Sequence, residues 1–301
     1  MKRNLLIILS LMLIIGLFYG CFSNSEKQSI TVEENKITDN QITEKIVSAI
    51  ENAHSVEFET EGIISQKYAG QETTIENITY SQEVLGTRKT YNEIFSRENG
   101  EEYEIISYTE PNGEYIDVYF GVYGTWLKQS TDKKQLHELD MGSDGFLLFG
   151  EYIKRLEVTE ILEEKRGDKD VFIITGEVAS QGIEGIMDSF VSEEQLEALK
   201  SSHEVLKNVD VKSIYKNLKP IKMKLIVDSK TYLPIEISID MKEMAESIYT
   251  NMARLVGNQT IARLFDVEEM RNDKKNISFD TFDDIEIPEE ARNAEEYEII
   301  E

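Results

Sequence analysis

The sequence predicts an α+β fold, a long antiparallel β-sheet with amphipathic helices packed on it, and three observations carry that expectation. Apolar and polar residues alternate with a period of two through much of the chain, as where Val56 and Phe58 are set between Glu57 and Glu59. Turn-forming residues interrupt the alternation at short intervals, at Ala69-Gly70, Gly86, Asn99-Gly100, Pro111-Asn112-Gly113 and Gly121. Several stretches switch to a helical period instead, and strands and helices that each carry one apolar face must bury those faces against each other.

The 301-residue chain opens with Lys2 and Arg3, then a greasy run over residues 5–19 broken only by Ser10 and Gly16, and then Gly20-Cys21. A basic start followed by an apolar run is the form of a secretory leader. Phe18-Tyr19-Gly20-Cys21 is similar to the lipobox of bacterial lipoproteins in its last two residues, whereas Leu17 stands one place early and Tyr19 is bulky. Two readings follow. Cys21 carries a diacylglyceryl group that anchors the chain to a membrane, or residues 4–22, close to the ~20 needed for a span, remain as an uncleaved anchor. Cys21 is the only cysteine, which favours the first, since an exported chain that used thiols structurally would hold an even number.

Residues 22–38 are polar, mixed in charge and without apolar period, the composition of a tether. As a coil they would reach roughly 20–25 Å. The expected organisation is a leader over residues 1–21, a tether over 22–38 and one domain over 39–301. About 260 residues suffice for one buried core without covalent staples.

Thr38 and Gln41 have capping-box spacing ahead of Ile42, Ile46, Ala49, Ile50 and Ala53, which predicts a helix ending near His54. Six strands then follow as a meander, the first beginning at Ser55 and the others over residues 72–85, 88–97, 103–109, 115–120 and 123–129. A short helix is expected over 146–156, a strand pair over 156–162 and 171–178 turning at Arg166-Gly167-Asp168, and helical pieces over 181–218, with Ser192 and Gln195 at capping spacing. Residues 221–240 are the clearest hairpin: Ile221, Met223, Leu225 and Val227 face one side and Lys222, Lys224 and Asp228 the other, and Ile235, Ile237 and Ile239 alternate after the turn. Residues 241–256 read as an amphipathic helix with Met244, Ala245, Ile248, Met252, Leu255 and Val256 along one stripe. Residues 261–287 are expected to give two more strands before Ile287-Pro288-Glu289-Glu290 starts a terminal turn.

The lipobox, the tether, the leading helix, the meander with its Tyr115, Trp126 and Lys128 patch, the hairpin VDSKTYLPIEISID and the late IEIPEE together resemble the LolA/LppX-like group of bacterial envelope lipoproteins, and within it an uncharacterised Gram-positive branch. The resemblance covers about residues 40–292. It implies a strongly curved antiparallel sheet, a half-barrel, with helices covering the concave face and space between them for acyl chains. Fold alone does not fix function.

The formal net charge is −26, and losing Lys2 and Arg3 would make it −28. Such a surface repels nucleic acid, which excludes that class of partner. The three histidines, His54, His137 and His203, share no metal motif, and no Gly-x-Ser-x-Gly elbow is present, so no catalytic residue, cofactor site or metal site is expected, and an enzyme least of all. Asp140, Asp144, Gly145 and Glu151 stand at four places of a calcium-loop pattern, but Gly142 occupies a ligand position and Phe146 to Phe149 read as core.

Two functions are consistent with this reading. One is an anchored extracytoplasmic lipoprotein whose sheet and helices hold a hydrophobic ligand such as an acyl chain, with Phe58, Trp126, Met223, Leu225, Ile237, Met244 and Met252 as candidate lining. The other is an envelope interaction or sensory lipoprotein with a filled core and no small ligand. Methionines on the covering helix suit the first, because methionine repacks readily, although such a stripe is also ordinary core.

Overall fold

The structure is a computed structural model, and it describes residues 39–68, 70–98, 100–132, 145–190, 210–255 and 265–296. The expected leader and tether and Cys21 lie outside the described residues, as do His137, Asp140, Asp144, Ser192, Gln195 and His203.

Helix α1 (Asp39–Asn52) leads into six strands, β1 (Ser55–Tyr68), β2 (Gln71–Val84), β3 (Lys89–Glu98), β4 (Glu101–Asn112), β5 (Tyr115–Val122) and β6 (Thr125–Asp132). Helix α2 (Gly145–Lys154) precedes the hairpin β7 (Leu156–Arg166) and β8 (Lys169–Val178), and α3 (Ser180–Phe190) and a 3-10 turn (Val211–Tyr215) precede the hairpin β9 (Ile221–Asp228) and β10 (Pro234–Asp240). Helix α4 (Lys242–Leu255), strand β11 (Phe265–Phe279), the one-turn α5 (Glu289–Arg292) and the two-residue β12 (Glu295–Glu296) complete the described chain.

All twelve strands join one open sheet, in the order β12-β6-β5-β4-β3-β2-β1-β11-β10-β9-β8-β7. Every pairing is antiparallel except β12 on β6. The long strands β1 and β11 pair along their length at the centre, with register shifts after Glu57 and Ser65 that bend the ladder and help curve the sheet.

Helices α1 to α4 lie on one face. Ile42, Ile46 and Ile50 of α1 recur every four residues and are each at most 1% exposed, and burying each contributes about 1.5–3 kcal/mol before the entropy of ordering is counted. They share a single core with Phe146 and Ile153 of α2, Ile183 and Ile186 of α3, the methionines of α4, and the inward side chains of β1 and β7 to β11. Helix α4 packs on β9 and β11, and Asn251 ties it to the 3-10 turn by donating to the Ile214 and Lys216 carbonyls at 2.9 Å.

Among the described residues of the 261–287 range one strand forms, β11, where two are expected. After β11, Asp280 adopts a left-handed φ of 56° and turns the chain out of the sheet, its carboxylate accepting from the His54 and Ser55 N–H groups at 2.7 and 3.3 Å. Residues 280–296 then cross the face opposite the helices as a strap. Ser55 Oγ donates to the Phe282 carbonyl, Lys89 pairs with Asp284 and Arg292 with Glu110 at 2.8 Å. Ile287 and Ala291 bury themselves against Tyr119, Tyr108 and Trp126, and β12 closes part of the β6 edge. The Ile-Glu-Ile alternation that reads as a strand instead supplies apolar contacts for this strap. Two turns also move: β4 runs through Pro111 to Asn112, and Tyr123, with φ 49°, belongs to a turn, so β6 begins at Thr125.

Trp126 sits directly over Gly121, and a Cβ at that glycine would lie 3.0 Å from the indole. Replacing Gly121 with Ala is therefore expected to push the ring from its seat beneath the strap and to cost about 1–3 kcal/mol. Trp126 is the only tryptophan. Urea unfolding followed by its fluorescence would register both the lower midpoint and an altered native emission.

Candidate functional site

The helix-covered face of the sheet divides into two chemistries. On β7 to β11 it is aliphatic. Met223 and Leu225 of β9, Ile237 of β10 and Met270 of β11 meet Met244 and Met252 of α4, all at most 3% exposed and all in one core. With Met241, five of the chain's nine methionines gather in this layer.

On β2 to β4 the same face is hydroxylic. Ser81 donates to Asn92 at 2.8 Å, Thr90 and Thr109 share a hydrogen bond of 2.9 Å, and Thr109 caps the Arg88 carbonyl at 2.7 Å. Ser81, Thr90, Ser107 and Thr109 are all buried. Strand alternation explains the placement, because cross-strand register puts Phe58, Ser81, Asn92 and Ser107 in one row on the helix side.

Where the two chemistries meet lies a buried charge. Lys274 of β11, 6% exposed, donates to Thr60 Oγ1 at 3.1 Å and stands 3.9 and 4.5 Å from the ring centres of Phe58 and Phe149. Glu83 of β2, 4% exposed, accepts from the Phe146 N–H at 3.0 Å, at the start of α2 where a carboxylate suits the helix dipole. Burial pushes the Lys274 ammonium down to about 7, and the nearby Glu83 charge works against that shift. Phe146 packs on Phe58 and Phe279 at ring separations of 5.3 Å, so the charge is roofed by aromatic rings.

One row along the strands, Gly62 of β1 pairs with Asn272 of β11 and Asn77 of β2. Gly62 is buried, yet among the described residues a Cβ built on it would meet only the Asn77 Cβ, at 3.9 Å. The floor of the site therefore has a notch at its centre, flanked by Thr60 and Lys274 on one side and by Ile64 and Met270 on the other. Asn272 Oδ1, on the rim, is buried and without a hydrogen-bond partner among the described residues. Further along β1, Gln66 accepts from Tyr249 of α4 at 2.7 Å, a polar tie between the covering helix and the floor.

Of the residues expected to line a ligand space, Phe58, Met223, Leu225, Ile237, Met244 and Met252 come together in this core. Trp126 does not join them: it lies on the opposite face, packed with Tyr108 and Tyr119 beneath the strap. His54 serves the strap as well, its Nε2 lying 2.8 Å from the Asp283 carbonyl. Glu151, the last position of the calcium-like pattern, sits inside α2 in ion pairs with Lys154 and Arg155. Lys274, Glu83, Gly62 and Asn272 were not singled out from sequence, although alternation from Met270 through Asn272 to Lys274 places all three on the inward side.

The sequence matches no family model and no curated protein. Among solved structures, the chain is similar to LprF from Mycobacterium bovis, with 9% identity over 84% of this chain and 97% of that one and a TM-score of 0.42. It is similar to the Mycobacterium tuberculosis lipoprotein LppX, with 9% identity over 81% and 95% and a TM-score of 0.33. It is also similar to a putative outer membrane lipoprotein-sorting protein domain from Vibrio parahaemolyticus, with 12% identity over 80% and 92% and a TM-score of 0.23.

The buried lysine sets a pH dependence. Between about pH 7 and the ordinary lysine value of 10.5 the folded chain binds fewer protons at Lys274 than the unfolded chain, so this group makes stability rise with pH across that window. Tyr80 and Tyr91, held up near 12 chiefly by burial, act oppositely above about pH 10, where the unfolded chain loses protons first. Urea midpoints measured from pH 6.5 to 9.5 should climb in the parent chain, and the climb should flatten in the double variant Lys274→Met, Glu83→Gln.

Proposed function

We propose that the chain is a membrane-anchored extracytoplasmic lipoprotein, without enzymatic activity, that binds or carries a hydrophobic ligand such as a lipid acyl chain between its sheet and its helices. The observation that carries this reading is the methionine layer. Met241 just ahead of α4 and Met244 and Met252 on it face Met223 and Met270 on the sheet, an apolar contact of flexible, unbranched side chains that can repack around a chain of similar bulk. It adjoins the polar notch at Gly62, so an amphiphile would find an aliphatic bed and a polar end in one continuous face. The lipobox-like leader and Cys21 supply the anchor in this reading, and two acyl chains hold a protein stably where one is marginal.

A filled-core interaction lipoprotein is the second reading, and one observation favours it: Phe58, Met223, Leu225, Ile237, Met244 and Met252 are all already packed to 3% exposure or less.

Native mass spectrometry and lipid extraction of the full chain purified from membranes separate the two. A co-purifying lipid in addition to the mass of the anchor supports the carrier; a chain carrying only its anchor, and taking up no lipid on incubation with vesicles, supports the filled core. For the anchor, Cys21→Ala is expected to abolish incorporation of labelled palmitate, and undiminished labelling would remove Cys21 from the account.

A further inference from the structure

The notch at Gly62 has a specific chemical deficiency, and it narrows what a bound amphiphile must offer. A glycine in the middle of a central strand forfeits packing and backbone order unless something approaches closely there. Among the described residues only the Asn77 Cβ comes within 4 Å of the missing methyl, although the glycine is buried. Its cross-strand partner Asn272 holds a buried side-chain carbonyl that accepts no hydrogen bond among the described residues. Leaving such an acceptor unsatisfied costs about 1–3 kcal/mol, so a donor in the notch would recover a real penalty.

The lysine beside the notch is already engaged. Lys274 already donates to Thr60 and feels the Glu83 carboxylate. A carboxylate or phosphate head brought here would bring no hydrogen for Asn272. A hydroxyl brings that hydrogen, and its oxygen can accept in turn from neighbours such as the Asn77 amide.

We infer that the Gly62 notch is a headgroup site for neutral amphiphiles that carry a free hydroxyl, of the partial acylglycerol type, with the hydroxyl donating to Asn272 Oδ1 and the chain lying along Met270, Met223 and Met244. This assignment rests on the carrier reading above and specifies the ligand class that the carrier takes.

The test is a calorimetric titration of the purified full chain with three probes that share one oleoyl chain: 1-monooleoylglycerol, its di-O-methyl ether, and oleate. The free glycerol head should bind about tenfold tighter than the methylated one, the scale of one recovered hydrogen bond. Oleate should bind no better than the ether. Asn272→Leu should erase the difference between the free and methylated heads while leaving affinity for the ether unchanged. Gly62→Ala has room for its methyl and should keep or raise the urea midpoint, yet weaken monooleoylglycerol by about tenfold, which separates a ligand notch from a folding requirement. Equal affinity for the free and methylated heads, tighter binding of oleate, or an Asn272→Leu variant that still discriminates would each overturn the headgroup assignment and leave the carrier standing. Failure to bind any of the three probes would overturn both.

Discussion

A twelve-stranded sheet that never closes on itself must cover each face by other means, and here the two faces are covered by unlike devices. The helices bury one face of the strands from β1 and β11 out to β7 in a continuous aliphatic core. The meander half receives its cover on the opposite face, from the C-terminal strap over Tyr108, Tyr119 and Trp126. The strap matters because it gives β4, β5 and β6 apolar burial on Tyr108, Tyr119 and Trp126, apart from the main core built on β1 and β7 to β11. Asp280, at the point where the strap leaves β11, is bonded to His54 and Ser55, so the start of β1 and the end of β11 are tied together at the hinge between the halves.

That division places the candidate site. Because the strap takes up the aromatic side of the meander, the helix side of β2 to β4 is free to be hydroxylic, and the line between hydroxyl and aliphatic surface runs along β1 and β11. Lys274, Thr60, Gly62 and Asn272 all lie on that line. A buried ammonium there costs stability at neutral pH, as its downward shift indicates. It is tolerated because the rings of Phe58 and Phe149, the Thr60 hydroxyl and the Glu83 charge each recover part of the lost hydration. Glu83 also accepts from the Phe146 N–H in the first turn of α2, so this carboxylate helps fix where that helix begins.

Much of this was legible in the sequence wherever a single physical rule decided the outcome. The alternation at Ile221 to Val227 and Ile235 to Ile239 identified a hairpin with one buried face, and the 3.6-residue recurrence of Ile42, Ile46 and Ile50 identified the leading helix. Six of the seven candidate lining residues met in one core for the same reason. What could not be read depended on which neighbour a strand acquires. Trp126 reads as an inward aromatic until the strap supplies a second apolar layer behind it, and residues 285–287 have strand periodicity but no free edge beside them. The notch is legible only once register sets Gly62 opposite Asn272, since neither residue carries a pattern of its own.

The central claim is that the methionine layer and the Gly62 notch form one ligand-binding face. Methyl-labelled methionine NMR of the full chain, titrated with 1-monooleoylglycerol below its aggregation concentration, addresses it most directly. Saturable shifts at Met223, Met244, Met252 and Met270 are expected. Saturable binding that leaves all four signals in place would contradict the account, because the lipid would then be held on some other surface.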